Sequence, residues 1–183
     1  MYLSDVDIKK ALEAKDIVIS DFDPSRLQPA SYDILLGNKF LVVKCSSTPY
    51  VDPENKILPE YEEVIIKDGE AFILHPNETI LGTSKDYFGS DKYLVQLGGK
   101  SGLARIGLAV HNTAGLINPG HYLNITFELG NFSRVPIILR PGMEVAQILF
   151  SQISSPCEKD YKKVGRFKDG EENFVSYQEK KDI

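Results

Sequence analysis

Three short stretches of this 183-residue chain hold residue types whose spacing could support chemistry. The first is Gly98-Gly99-Lys100-Ser101-Gly102-Leu103-Ala104-Arg105. Ser101 and Arg105 stand four apart, so one helical turn starting here places them on the same side, with Ser101 capping the turn. The paired glycines let backbone amides approach an anion, and Lys100 and Arg105 add positive charge. Taken alone, the stretch reads equally well as a surface turn with two ordinary cations. The second stretch, His111-Asn112-Thr113-Ala114-Gly115-Leu116-Ile117-Asn118-Pro119-Gly120, is a strand end entering an Asn-Pro-Gly turn. The third is Tyr122-Leu123-Asn124-Ile125-Thr126-Phe127-Glu128-Leu129. Leu123, Ile125, Phe127 and Leu129 alternate with Tyr122, Asn124, Thr126 and Glu128, so a strand would separate an apolar face from a polar one. Glu128 is then a mid-strand carboxylate between large apolar neighbours. It can be a general acid–base group if that face is enclosed, or a solvated sheet residue, the commoner case, if it is open.

Other chemistries are missing their parts. A zinc-dependent base deaminase needs a His-x-Glu and a Pro-Cys-x-x-Cys to hold the metal. Here Pro156-Cys157 is followed by Glu158-Lys159-Asp160, and none of His75, His111 or His121 has Glu two residues on. Gly99-Lys100-Ser101 could end a P-loop, but Leu94 occupies the position where that motif requires glycine. Cys45 and Cys157 are too few for a disulfide framework and read as two reduced thiols.

These residues must be positioned mainly by strands. One helix is expected near the start, with Ser4 as N-cap and Val6, Ile8, Ala11 and Leu12 keeping a helical period up to Lys15. After it come short β-branched or aromatic runs: 17–19, 40–43, 64–66, 71–74, 93–97, 122–129, 135–139 and 145–150. Asp68-Gly69 reads as a hairpin turn joining the third and fourth runs. Residues 45–63, with three prolines, read as a long surface loop. The pattern predicts a mainly β barrel or sandwich with few helices. From Ser154 onward the chain turns polar but is studded with Tyr161, Phe167, Phe174 and Tyr177. Such a tail is usually solvated, though it can fold over a site as a lid. The boundary falls at 1–156 for the domain and 157–183 for the tail.

Composition sets further bounds. Apolar residues make up 42% and charged residues 26%, which suits one globular domain. The net charge of -5 and pI near 5.3 argue against nucleic-acid binding, which normally needs a basic excess. No run approaches the ~18 consecutive apolar residues of a spanning helix, and no basic n-region precedes an apolar stretch. The expectation is a cytoplasmic protein without membrane contact.

Together the three stretches resemble the core of the dCTP deaminase family and its bifunctional deaminase–dUTPase members. The likeness extends to Leu27-Gln28-Pro29-Ala30-Ser31-Tyr32-Asp33-Ile34-Leu35-Leu36-Gly37, to Leu139-Arg140-Pro141-Gly142-Met143 and to Ala146-Gln147-Ile148. It implies a dUTPase-like distorted β-barrel (β-clip), assembled as a homotrimer with active sites shared between subunits. It implies zinc-independent hydrolysis of dCTP to dUTP and ammonia, with Glu128 activating water against carbon 4 of cytosine. Ser101 and the Ala114 carbonyl would hold that water, and Arg105 would stabilise developing charge. The nucleotide would be met by Lys100, Ser101, Gly102, Leu103, Ala104, Arg105, Asn118, Thr126, Phe127, Gln147, Tyr161 and Gln178. Magnesium would ride on the triphosphate, with no metal ligand from protein side chains, and dTTP would act as an inhibitor.

Two positions depart from the family pattern. Gly102 stands where a second serine is usual, and Asn118 where an aspartate holds the sugar hydroxyl and, in dUTP-cleaving members, activates water. An amide can accept a hydrogen bond but cannot take a proton from water. Gly115 nonetheless resembles the bifunctional members, because deaminase-only members tend to carry histidine there. Deamination with little onward cleavage is the leading expectation. The alternatives are a dUMP-forming bifunctional enzyme, a dUTP diphosphatase and a non-catalytic nucleotide-binding relative.

Overall fold

The computed structural model describes residues 1–44, 48–159 and 161–165. An opening helix, α1 (Asp5–Glu13), is capped by Ser4, whose hydroxyl accepts the Asp7 backbone N–H at 3.4 Å. It buries Ile8 and Ala11 and stops short of Lys15, which takes a left-handed backbone at φ 60°. Val6 is exposed rather than inward-facing.

Antiparallel strands form most of the remainder. They are β1 (Val18–Ile19), β2 (Leu27–Gln28), β3 (Ser31–Val43), β4 (Tyr61–Ile65), β5 (Phe72–Leu74), β6 (Thr79–Gly89), β7 (Tyr93–Gly99), β8 (Leu108–Ala109), β9 (Leu116–Ile117), β10 (Leu123–Asn131), β11 (Ile137–Leu139) and β12 (Glu144–Gln152). Among the described residues, a curled ten-stranded sheet runs in the order β8-β10-β6-β3-β12-β7-β9, with β1 joined to β6 and both β2 and β4 joined to β3. A 3-10 turn (Pro24–Arg26) and two short helices, α2 (Ser101–Arg105) and α3 (Tyr161–Val164), complete the described elements. The fold is mainly β, as the strand spacing predicts.

β3 joins the two wings of the sheet. Its first half pairs with β12 (Tyr32↔Ile148, Asp33↔Gln147), and its second half pairs with β6 and β4 (Phe40↔Gly82, Phe40↔Val64). Gly37 lies at the changeover, where a Cβ would come within 2.8 Å of Thr83 Oγ1, so the strands can pass this closely only without a side chain. The curl wraps a core that includes Tyr32, Phe40, Phe88, Phe127 and Phe150, all fully buried.

Three expectations need correction. Asp68-Gly69 does make a turn, with the Glu70 N–H on the Lys67 carbonyl and Gly69 at φ 82°, but it closes no hairpin. β4 pairs with β3, whereas β5 pairs with β11 in a separate ribbon. The loop expected over 45–63 ends earlier, because Tyr61–Glu63 pair with Leu41–Val43. Finally, periodicity predicts no strand over 79–89, yet β6 lies at the centre of the sheet. Its buried positions include Gly82, Thr83, Ser84 and Asp86, a polar set that hides the apolar signal. Asp86 is tolerated inside because Arg26 Nη1 donates to its Oδ1 at 2.8 Å and the Leu35 N–H to its Oδ2 at 2.7 Å.

Candidate active site

β10 delivers Glu128 as the alternation requires: Leu123, Ile125, Phe127 and Leu129 are buried, while Asn124, Thr126 and Glu128 are half-buried. The Glu128 backbone N–H donates to the Val110 carbonyl at 3.1 Å, and its carboxylate Oε2 accepts the Asn112 backbone N–H at 2.7 Å. The carboxylate is therefore tied at one oxygen to the loop that carries Ala114. It lines a cavity of about 380 Å³ together with Ala114, Asn118, His121, Asn124, Thr126 and Tyr161, closed by apolar side chains from Leu81, Leu116, Ile117, Leu123 and Ile125. A concave, largely apolar cleft with a few polar groups is the ordinary form of a small-molecule site.

The Asn-Pro-Gly turn shapes one wall. The His121 N–H donates to the Asn118 carbonyl at 3.1 Å and Gly120 sits at φ 85°, the type II arrangement that proline followed by glycine favours. The turn brings His121 under Tyr161, with ring centroids 4.1 Å apart and planes 20° from parallel. α3 is further held by Lys162, which donates to both oxygens of Asp91 at 2.8 and 3.1 Å and lies 4.9 Å above the Tyr122 ring. Burial, reinforced by the Asp91 charge, pushes the Tyr122 hydroxyl up to about 12, so it stays protonated. Tyr161 thus reaches the cavity as expected. Gln178, the other tail candidate, lies outside the described residues, as do Cys45, Phe167, Phe174 and Tyr177.

α2 forms over the predicted turn, but Lys100 rather than Ser101 is its N-cap and no side chain caps it. Ser101 is already inside the helix. Ser101, Gly102, Ala104 and Arg105 are exposed, and Leu103 packs on the core. Lys100 Nζ donates to Asp33 Oδ2 at 2.6 Å and to Glu144 Oε2 at 2.7 Å. Burial opposes its charge, but the hydrogen bonds and negative charges of the two carboxylates outweigh that, so its pKa is raised. Beside it, the Gln147 amide is engaged at both ends: Oε1 accepts Ser31 Oγ–H at 2.7 Å, and Nε2 donates to the Gly99 carbonyl at 3.1 Å.

Within one chain these are two clusters. The Glu128 cavity brings together Ala114, Asn118, Thr126 and Tyr161 from the expected residues. Lys100, Ser101, Arg105 and Gln147 do not line it. The Phe127 ring is fully buried in the core, so only its backbone can meet a ligand.

A family model described as "dCTP deaminase-like" matches residues 2–153. The chain belongs to the dCTP deaminase-like family. Among its relatives is the "dCTP deaminase, dUMP-forming" of Tropheryma whipplei (strain Twist), 45% identical over 88% of this chain and 83% of that one. The "dCTP deaminase" of Haloarcula marismortui is 37% identical over 88% and 85%. The crystal structure of 2'-deoxycytidine 5'-triphosphate deaminase from Agrobacterium tumefaciens shares the fold, at TM-score 0.62 and 22% identity. It matches 81% of this chain, which spans 47% of that longer one.

In this dCTP deaminase-like chain, Gly102 and Gly115 sit in different surroundings. A Cβ at Gly102 would meet nothing within 4 Å, so the space for a serine is present and unfilled. A Cβ at Gly115 would come within 3.2 Å of the Leu97 carbonyl and 3.3 Å of His111 Cε1, so a histidine there would force both to give. The sequence does not single out Asn112, whose contribution is a backbone N–H, nor Leu81, whose strand it misses. His121 carried a readable signal, an aromatic ring directly after a tight turn.

Proposed function

We propose that this chain is a hydrolytic dCTP deaminase, converting dCTP to dUTP and ammonia without zinc, with Glu128 as its acid–base group. The observation that carries the proposal is the Glu128 carboxylate, anchored at one oxygen by the Asn112 N–H at 2.7 Å on the wall of a largely apolar, half-open cavity. The tie fixes the side chain while the second oxygen takes a proton from water. Water attacks carbon 4 of the cytosine, and Glu128 returns protons to the ring nitrogen and the departing ammonia. One positioned group of this kind typically contributes ~10²–10⁴-fold in rate.

Thr126, on the same strand face as Glu128, would contact the base, and the Ala114 carbonyl would hold the water. Lys100, Ser101 and Arg105 are cationic or hydroxyl groups suited to a triphosphate. Since they lie off the Glu128 cavity of their own chain, the complete site is assembled between subunits, with a homotrimer as the assembly. A magnesium ion would be carried by the phosphates and screen their charge.

A second reading, hydrolysis onward to dUMP, is favoured by the name of the Tropheryma relative and by the crowding around Gly115. Against it stands Asn118, which lines the cavity with an amide that cannot deprotonate water. Incubation with dCTP and magnesium, with ammonia measured and nucleotides resolved by chromatography, tests both. The expected outcome is ammonia with dUTP. Ammonia with dUMP and diphosphate would establish the second reading, and no ammonia would refute deamination.

A further inference from the structure

Two carboxylates of unequal kind hold Lys100. Asp33 has a side chain only 3% exposed, and its Oδ2 also accepts Gln28 Nε2 at 3.0 Å, so it is fixed. Glu144 is 44% exposed and reaches Lys100 from the start of β12. Resting on the reading that Lys100 meets the phosphates, we propose that Glu144 is a built-in competitor, a carboxylate occupying the phosphate position on Lys100 until nucleotide displaces it. Asp33 is the positioning residue that keeps the ammonium at the head of α2.

An ammonium has three donors and no acceptor, and here two are already spent on carboxylate oxygens 2.6 and 2.7 Å away. An incoming phosphate oxygen must either take the third direction, beside two carboxylates, or replace one of them. Replacing Asp33 would leave a buried carboxylate without its cation, which is costly. Replacing Glu144 costs little, because an exposed pair is weak and its carboxylate can return to water. Glu144 also borders a second cavity, of about 340 Å³, lined by Lys85 and the Arg26–Asp86 pair along with Asp21 and Asp23, which gives the displaced side chain room to move but no unpaired buried cation to hold it there. The Gln147 bridge between Ser31 and the Gly99 carbonyl holds the backbone just before Lys100, so the exchange needs only side chains to move.

The consequence is selectivity by charge: a triphosphate competes with Glu144 better than a monophosphate does. Calorimetric titration of the full chain with dCTP and magnesium tests this. Glu144→Gln should tighten dCTP roughly two- to fivefold, the range expected for an exposed pair. The gain should vanish when Glu144→Gln is combined with Lys100→Met. Asp33→Asn should raise KM for dCTP more than it lowers kcat, a split that general destabilisation would not produce. Unchanged or weaker binding by Glu144→Gln, or a gain that persists without Lys100, would overturn the inference while leaving the functional reading intact. A wild-type chain that binds no dCTP would overturn both.

Discussion

At Glu128 one hydrogen bond decides what the carboxylate can do. The Asn112 N–H holds Oε2 at 2.7 Å, fixing the side chain and leaving its other oxygen to meet a ligand, as the proposed acid–base role requires. Asn118, in the same cavity, lacks the ionisable oxygen that could activate a second water. Asn118→Asp should therefore shift the product of dCTP turnover from dUTP towards dUMP, read by chromatography. No dUMP from this variant would mean that position 118 does not limit diphosphate cleavage. The position of Glu128 was legible in the sequence because strand alternation sets it on the polar face of an otherwise buried strand, whereas its acid–base role rested on the family resemblance. The partners of Lys100 were not, because Asp33 and Glu144 lie 67 and 44 residues away in sequence. Capping by Ser101 was misread by one position, an error that backbone geometry alone can settle.

At the scale of elements, β6 shows why half of the sheet was hard to foresee. A central strand normally declares itself by apolar residues, but β6 presents Thr83, Ser84 and Asp86 to the interior, and Ser84 and Asp86 take partners far away in sequence, the Ile125 N–H and the Arg26 guanidinium. The Arg26–Asp86 pair is buried on both sides, with side-chain exposures of 7% and 3%. Removing one member of a buried pair strands the other charge and costs about 3–5 kcal/mol. Asp86→Ala should thus lower Tm by roughly ten degrees in a thermal melt. A Tm within two degrees or so of wild type would show that the pair is dispensable to the sheet. The helix α1, by contrast, was readable almost to the residue, since its cap and its buried Ile8 and Ala11 are local features. The misread hairpin at Asp68-Gly69 makes the same point: the turn is local and was visible, whereas the strand partners are not.

At the scale of the whole molecule, the proposed function has Glu128 act in one site with Lys100, Ser101 and Arg105, which do not line its cavity, so it calls for a second chain. A Glu128→Gln chain and an Arg105→Ala chain, each inactive alone, should recover about a quarter of wild-type activity when co-assembled, the fraction of shared sites that draw both intact residues at random. No recovery from a well-mixed assembly would place the whole site in one chain. Net charge and composition had already spoken at this scale, since a net charge of -5 argues against a nucleic acid while leaving open a small anionic ligand at a local basic turn. What they could not convey is which surfaces meet, because an interface depends on shape across separate chains. The decisive measurement is ammonia release from dCTP by wild type and by Glu128→Gln, whose amide keeps an acceptor for the Asn112 N–H. The predicted result is ready release by wild type and a fall of roughly 10²–10⁴-fold in kcat for the variant, about 3–5 kcal/mol of barrier. A variant that deaminates dCTP at the wild-type rate would contradict the assignment of Glu128.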